Sequence, residues 1–167
     1  MPDASPVARI RPAAEGDLAA FLALLRHLNP DDPHRTPEEA ARTWAGMLAS
    51  PLVTVLFAEL PDGTLAASCT MVTAPNLTAG LSSWVVIENV VTHADHRRQG
   101  HGHAVLAEAV ARARAAGCYK VMLATGSTNP GTHRFYQEAG FKGGGKTHYE
   151  LRLAHPRPSS EERGRGA

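Results

Sequence analysis

The sequence predicts a mixed α/β (α+β) domain. Three features predict it: an amphipathic helical pattern near the start, a hairpin of two apolar runs in the middle, and a strongly strand-like run feeding directly into a helix. Val7 to Ile10 reads as a short first strand. Asp17 then leads into Leu18, Phe21, Leu22, Leu25 and Leu28, whose i, i+3, i+4 spacing lines one face of a helix that should stop near Asn29-Pro30. Thr36-Pro37-Glu38-Glu39 supplies an N-cap, a proline at the first helical position and acidic residues suited to the positive helix end, so a second helix runs to about Ser50. Leu52 to Leu60 and Thr64 to Val72 are strands joined by Pro61-Asp62-Gly63, a turn chemistry that favours an antiparallel hairpin. Trp84 to Thr92 is the most strand-like stretch of the chain. Gly102 to Ala116 carries Ala and Leu at helical spacing, with Gly117 placed as a C-cap. Tyr119 to Ala124 reads as a buried strand, Pro130 to Ala139 as a short helix, and Lys146 to Leu153 as a last strand with alternating side chains. The predicted order is βααβββαβαβ.

A chain of 167 residues fits one compact domain, and with 43% hydrophobic and 20% charged residues it can bury a sizeable core. A formal charge of +1 gives no ground for a nucleic-acid or membrane-surface partner. Cys69 and Cys118 lie in apolar contexts without metal-ligand spacing and read as buried thiols. The first residues lack an apolar signal core, and no run approaches the roughly 18 apolar residues of a membrane span, so the expectation is a cytoplasmic protein with no membrane partner. The tail HPRPSSEERGRGA, residues 155–167, is too polar to offset its ordering entropy and is expected to be disordered, leaving 1–154 as the domain.

Between the strong strand and its helix lies Arg97-Arg98-Gln99-Gly100-His101-Gly102, an R-x-x-G-x-G run. Amides at a helix start point outward without intrahelical partners, glycines admit a phosphate close to the backbone, and arginines add charge-assisted contacts. The run reads as an anion cradle, or else as a glycine-relaxed connection with solvated arginines.

Glu88 through Gly102, ENVVTHADHRRQGHG, resembles the central motif of the GNAT N-acetyltransferases. The resemblance continues through Gly117-Cys118-Tyr119-Lys120-Val121 and through Asn129 to Phe141, which is similar to the family pattern N-x-x-A-x-x-F-Y-x-x-x-G-F; together these cover about Trp84 to Leu153. Ala94 stands where proline is common and Thr132 where alanine is common.

The resemblance implies a GNAT-type mixed, mostly antiparallel central sheet with a splayed central strand pair and about four flanking helices. It implies an acetyl-CoA-dependent N-acetyltransferase, with acetyl-CoA as co-substrate, no metal, and a small-molecule primary amine as acceptor. Backbone groups of Val90, Val91 and Thr92 would bond the pantetheine arm and acetyl carbonyl. Amides of Arg98, Gln99, Gly100, His101, Gly102 and His103 would hold the pyrophosphate, and Asn129 would contact the pantetheine region. A homodimer through the C-terminal strands is the family expectation.

Direct attack of an amine on a thioester needs a proton acceptor and a proton for the departing thiolate. Glu88 interrupts an apolar run, and partial desolvation would suit it to act as general base; strand alternation equally permits a carboxylate on the wetter face. Tyr136 lies two helical turns beyond Asn129 and is the candidate general acid, against which stands core packing of the Phe135-Tyr136 pair.

Gly140 to Thr147 matches G-x-x-x-x-G-K-T, but a phosphate-binding loop of that kind follows a strand and opens a helix, and here it follows a helix and precedes a strand-like run. Gly100-His101-Gly102 lacks the third glycine of a dinucleotide fingerprint. His93, His96, His101 and His103 crowd one loop and read as solvated or phosphate-facing rather than as metal ligands. A domain that binds acyl-CoA as a sensor without turnover is the rival class.

Overall fold

The computed structural model describes residues 8–145 and 147–153; the tail 155–167 and the expected domain boundary at 154 lie outside the described residues. These residues form two compact units, one through Leu123 and one from Ala124 onward.

In the first unit, β1 (Arg9–Pro12), β2 (Val53–Glu59), β3 (Leu65–Ala74), β4 (Trp84–Thr92) and β5 (Val121–Met122) form one sheet in that order. The first three pairings are antiparallel and β4–β5 is parallel, which is the mixed, mostly antiparallel sheet expected. The hairpin between β2 and β3 closes as its sequence requires: Gly63 takes φ 87°, its N–H donates to Leu60 O at 2.9 Å, and Asp62 Oδ1 accepts from Thr64 N–H at 2.9 Å.

Helix α1 (Leu18–Leu25) ends one turn before the Asn29-Pro30 stop. From Arg26 the bonds tighten to i→i−3, with Arg26 N–H to Ala23 O, His27 N–H to Leu24 O and Leu28 N–H to Leu25 O, before Asn29 N–H closes on Leu25 O and Pro30, which has no N–H, ends the run. Helix α2 (Pro37–Ala49) starts in a full capping box: Glu39 N–H donates to Thr36 Oγ1 at 3.2 Å and Thr36 N–H to Glu39 Oε2 at 2.9 Å. Phe21, Leu24 and Trp44 from these two helices bury against Val55, Phe57, Leu65 and Val91, with Phe21 5.2 Å from Phe57 and 5.6 Å from Trp44 between ring centroids. Truncating one of these aromatics to alanine would cost about 3–5 kcal/mol.

Helix α3 (His101–Ala115) covers the other face with Val105, Leu106, Ala109 and Ala113, and the Cys69 thiol reaches Val105 O at 4.0 Å. Gly117 ends it at φ 71°. The sheet edge is pinned by Arg11, which donates to Asp17 at 2.7 and 2.8 Å and to Glu59 at 2.8 and 2.9 Å. This network holds the guanidinium well above its ordinary pKa and both carboxyls below theirs, with the hydrogen bonds as the main cause.

In the second unit, Asn129 Oδ1 accepts from Gly131 N–H at 2.7 Å and caps α4 (Pro130–Glu138). The strand expected from Lys146 to Leu153 is not formed: residues 147–153 carry no strand, and Lys146 lies outside the described residues. Tyr149, Leu151 and Leu153 alternate as a strand would, yet all are exposed, and alternation cannot make a strand without a partner for its N–H and C=O groups.

Candidate active site

Strand β4 changes face partway along. Across β3 and β4, Thr70 stands opposite Glu88 and Ser68 opposite Val91, so Asn89 and Val90 together face the single residue Cys69. This is a β-bulge, and Asn89 accommodates it at φ 51°, a left-handed conformation that asparagine tolerates better than most residues. Before the bulge, Val85 and Ile87 are buried toward α3; after it, Val91 is buried with α1 and α2.

On its other side β4 is paired only briefly. Val85 aligns with Val121 and Val86 with Met122, and among the described residues no strand continues that pairing beyond Val86. The pair therefore splays, and from Ile87 to Thr92 the backbone groups facing away from β3 line an open edge that an extended ligand could bond as a strand would. Val90 and Thr92 are half-buried on this stretch, while Val91 anchors its side chain in the core and offers the edge only its backbone.

The open edge runs into the glycine loop. His93 N–H still donates to Ala66 O at 2.8 Å, after which a single 3₁₀ turn over Ala94–His96 leads to Arg98 at φ 60° and Gly100 at φ 85°. Two left-handed residues flanking Gln99 turn the chain tightly, and the first intrahelical bond is Ala104 N–H to Gly100 O at 2.9 Å. The amides of the preceding first turn, beginning at His101 and Gly102, aim out of the helix start, where the dipole favours an anion. A Cβ on Gly100 would meet nothing within 4 Å, so the glycine serves its backbone angle and the space in front of it. Gln99 braces the loop by donating to Asp95 O at 3.2 Å, and its amide lies 3.4 Å from His101 Nε2. This donor set and shape fit a pyrophosphate.

Of the histidines expected to be solvated or phosphate-facing, one departs from the first of these. His101 is buried rather than solvated, and His96, His93 and His27 continue a row from it at centroid separations of 6.3, 5.2 and 4.1 Å. Burial, then the neighbouring His96, pushes the His101 imidazole below its ordinary pKa; burial, then His27, does the same for His93. His27 lies in the turn just after α1, and no local pattern announces a contact across 66 residues of chain.

Glu88 lies on the same strand as the open edge and is exposed, so the partial desolvation expected of it is not observed. Asn129 and Tyr136 belong to the second unit. Asn129 Oδ1 is used in the helix cap, and the Tyr136 ring sits 5.0 Å from Phe135 and 6.3 Å from Phe141, so the aromatic packing weighed against a chemical role is present. Residues 141–145 after Gly140 form no helix, which removes the context a nucleotide-binding loop needs.

An open strand edge ending in a glycine cradle at a helix start has the shape and donors to receive an extended ligand carrying phosphates. The chain belongs to the GNAT acetyltransferases: the model of the Acetyltransferase (GNAT) family matches residues 21–141. It is similar to glucosamine 6-phosphate N-acetyltransferase of Trypanosoma brucei brucei, 30% identical over 133 residues covering 80% of this chain and 88% of the relative. It is also similar to glucosamine 6-phosphate N-acetyltransferase 1 of Oryza sativa subsp. japonica, 33% identical over 138 residues covering 80% of each. Among solved structures, an acetyltransferase candidate from Agrobacterium tumefaciens str. C58 superposes with a TM-score of 0.82 at 41% identity, over 87% of this chain and 99% of that one.

Proposed function

We propose that this acetyltransferase moves the acetyl group of acetyl-CoA to a primary amine on a small molecule by direct attack. The observation that carries the reading is the open β4 edge from Ile87 to Thr92 leading without a break into the cradle at Arg98 to His103. On this reading, backbone groups of Val90, Val91 and Thr92 hold the pantetheine arm, and the amides of Arg98, Gln99, Gly100, His101, Gly102 and His103 hold the pyrophosphate. When bound, acetyl-CoA supplies the thioester.

Glu88 accepts the proton that the attacking amine loses, through a water, since its side chain is exposed rather than enclosed. Tyr136 gives a proton to the departing thiolate, and Asn129 binds near the pantetheine, both assigned from their places in the motif. Most of the acceleration comes from holding amine and thioester together.

Thiol release from acetyl-CoA across a panel of primary amines tests the reading. Glucosamine 6-phosphate heads the panel because two relatives carry its name; polyamines, amino acids and aminoglycosides follow. Amine-dependent release, slowed in Tyr136→Phe, is the expected result. Cofactor binding with no release for any amine would overturn catalysis in favour of a sensor. A homodimer belongs to the same reading and is checked by sedimentation equilibrium.

A further inference from the structure

Two buried hydroxyls on β3 have no use in the fold. Ser68 and Thr70 are 1% and 4% exposed, and neither Ser68 Oγ nor Thr70 Oγ1 makes a hydrogen bond among the described residues. A hydroxyl taken out of water without a partner is costly, and valine has the shape of threonine without that cost. The surroundings are apolar enough for valine: Thr70 pairs with Val55 on β2, and Ser68 with Phe57.

Their place in the register supplies a purpose. Residues two apart on a strand share a face, and residues opposite one another across a ladder share it too. One row therefore reads Val55, Thr70, Glu88 and the next Phe57, Ser68, Val91. The bulge at Asn89 and Val90 lies between the two rows and makes this possible, since strict alternation would send Val91 to the opposite face from Glu88. Directly opposed residues have Cα atoms about 4.5–5.5 Å apart, so the Thr70 and Glu88 side chains are immediate neighbours on that face.

We propose that Thr70, with Ser68 behind it, is a positioning residue whose hydroxyl holds the water through which the acceptor's proton reaches Glu88. The proposal rests on Glu88 being the base. As the amine nitrogen bonds to the thioester carbonyl carbon and the carbon–sulfur bond breaks, an N–H proton passes to the water. The water passes one of its own to the carboxylate and is regenerated, and the thiolate is protonated separately. A buried hydroxyl can both accept from and donate to that water, which fixes its orientation without competing for the proton.

The test measures kcat, KM and the pH dependence of kcat for Thr70→Val, Thr70→Ser, Ser68→Ala and Glu88→Gln, using acetyl-CoA and the fastest amine of the panel. Thr70→Val should lower kcat about tenfold or more with little change in KM, on the scale of general acid–base effects, and should shift the acidic limb of the kcat profile. Thr70→Ser should restore most of the rate, Ser68→Ala should lose several-fold, and Thr70→Val should add little in a Glu88→Gln background. If Glu88→Gln slows the enzyme while Thr70→Val and Ser68→Ala leave kcat within twofold, the water relay is refuted. In that event the hydroxyls are only a stability cost, and Thr70→Val should melt higher than the wild type. If Glu88→Gln itself leaves kcat unchanged, the base assignment fails first and takes this proposal with it.

Discussion

Gly100 and Gly117 offer a paired test of the cradle. Both take left-handed backbone angles, φ 85° and 71°, and a Cβ built on either meets nothing within 4 Å. Alanine at each position should therefore cost the same thing, about 1–2 kcal/mol for holding an L-residue in the left-handed region. For a chain of 167 residues that corresponds to a fall in melting temperature of about 2–8 °C in both variants. Only Gly100 stands before the α3 amides. A methyl group there occupies the approach to the phosphate, and losing one charge-assisted hydrogen bond of about 1.5–3 kcal/mol weakens binding about ten- to a hundredfold. Calorimetric titration with acetyl-CoA, at a temperature where both variants are folded, reads this directly. Gly100→Ala should bind at least about tenfold more weakly than Gly117→Ala, which should bind like the wild type. Equal affinity in the two variants would refute the cradle, because it would show that the glycine serves only the turn.

Other consequences lie away from the site. Arg11→Met removes the guanidinium that bonds both Asp17 and Glu59 and leaves two half-buried carboxylates without it; a loss of about 2–3 kcal/mol in urea unfolding is expected, below the 3–5 kcal/mol of a fully buried pair because water reaches these groups. Because both carboxyls titrate below their unfolded values of about 3.9 and 4.3, the network's contribution is fully present above about pH 5 and is lost as pH falls through the folded values, so the gap in stability between wild type and Arg11→Met should shrink on acidification. The Cys69 thiol, buried and pushed up to about 12, should resist a thiol reagent at pH 8 until the protein unfolds, whereas the less buried Cys118 should react in the native state; simultaneous modification of both would contradict the packing against α3.

The parts of the fold that were legible in the sequence are those fixed by local chemistry. Thr36-Pro37-Glu38-Glu39 announces a capped helix and delivers a complete capping box, and Pro61-Asp62-Gly63 announces a hairpin whose bonds form as the residues demand. Trp84 to Thr92 is a strand over the stretch expected, and the glycine loop begins a helix one residue before Gly102. Whatever depends on a distant partner was not legible. The alternation of Tyr149, Leu151 and Leu153 predicts a strand that the described residues do not form, and the row joining His27 to His93, His96 and His101 is assembled by tertiary structure alone.

Glu88 shows why part of the site also escaped. Alternation along WVVIENVVT assigns every second residue to one face, which would put Val85, Ile87, Asn89 and Val91 together and leave Glu88 on the other side from all of them. The bulge breaks that count: Val91 joins the face of Glu88, where it seals the α1–α2 core, while Val85 and Ile87 stay with α3. One strand thereby closes two cores, and the polar pair Glu88-Asn89 falls at the crossover, where neither core needs an apolar side chain. Asn89 itself is the only written sign of the slip, since it is the residue on β4 best able to take a positive φ. Ser68 and Thr70 stand on the face of Glu88 by pairing alone, Thr70 opposite it and Ser68 two residues along, so the slip that adds Val91 to that face does so beside a carboxylate and two buried hydroxyls at the start of the open edge.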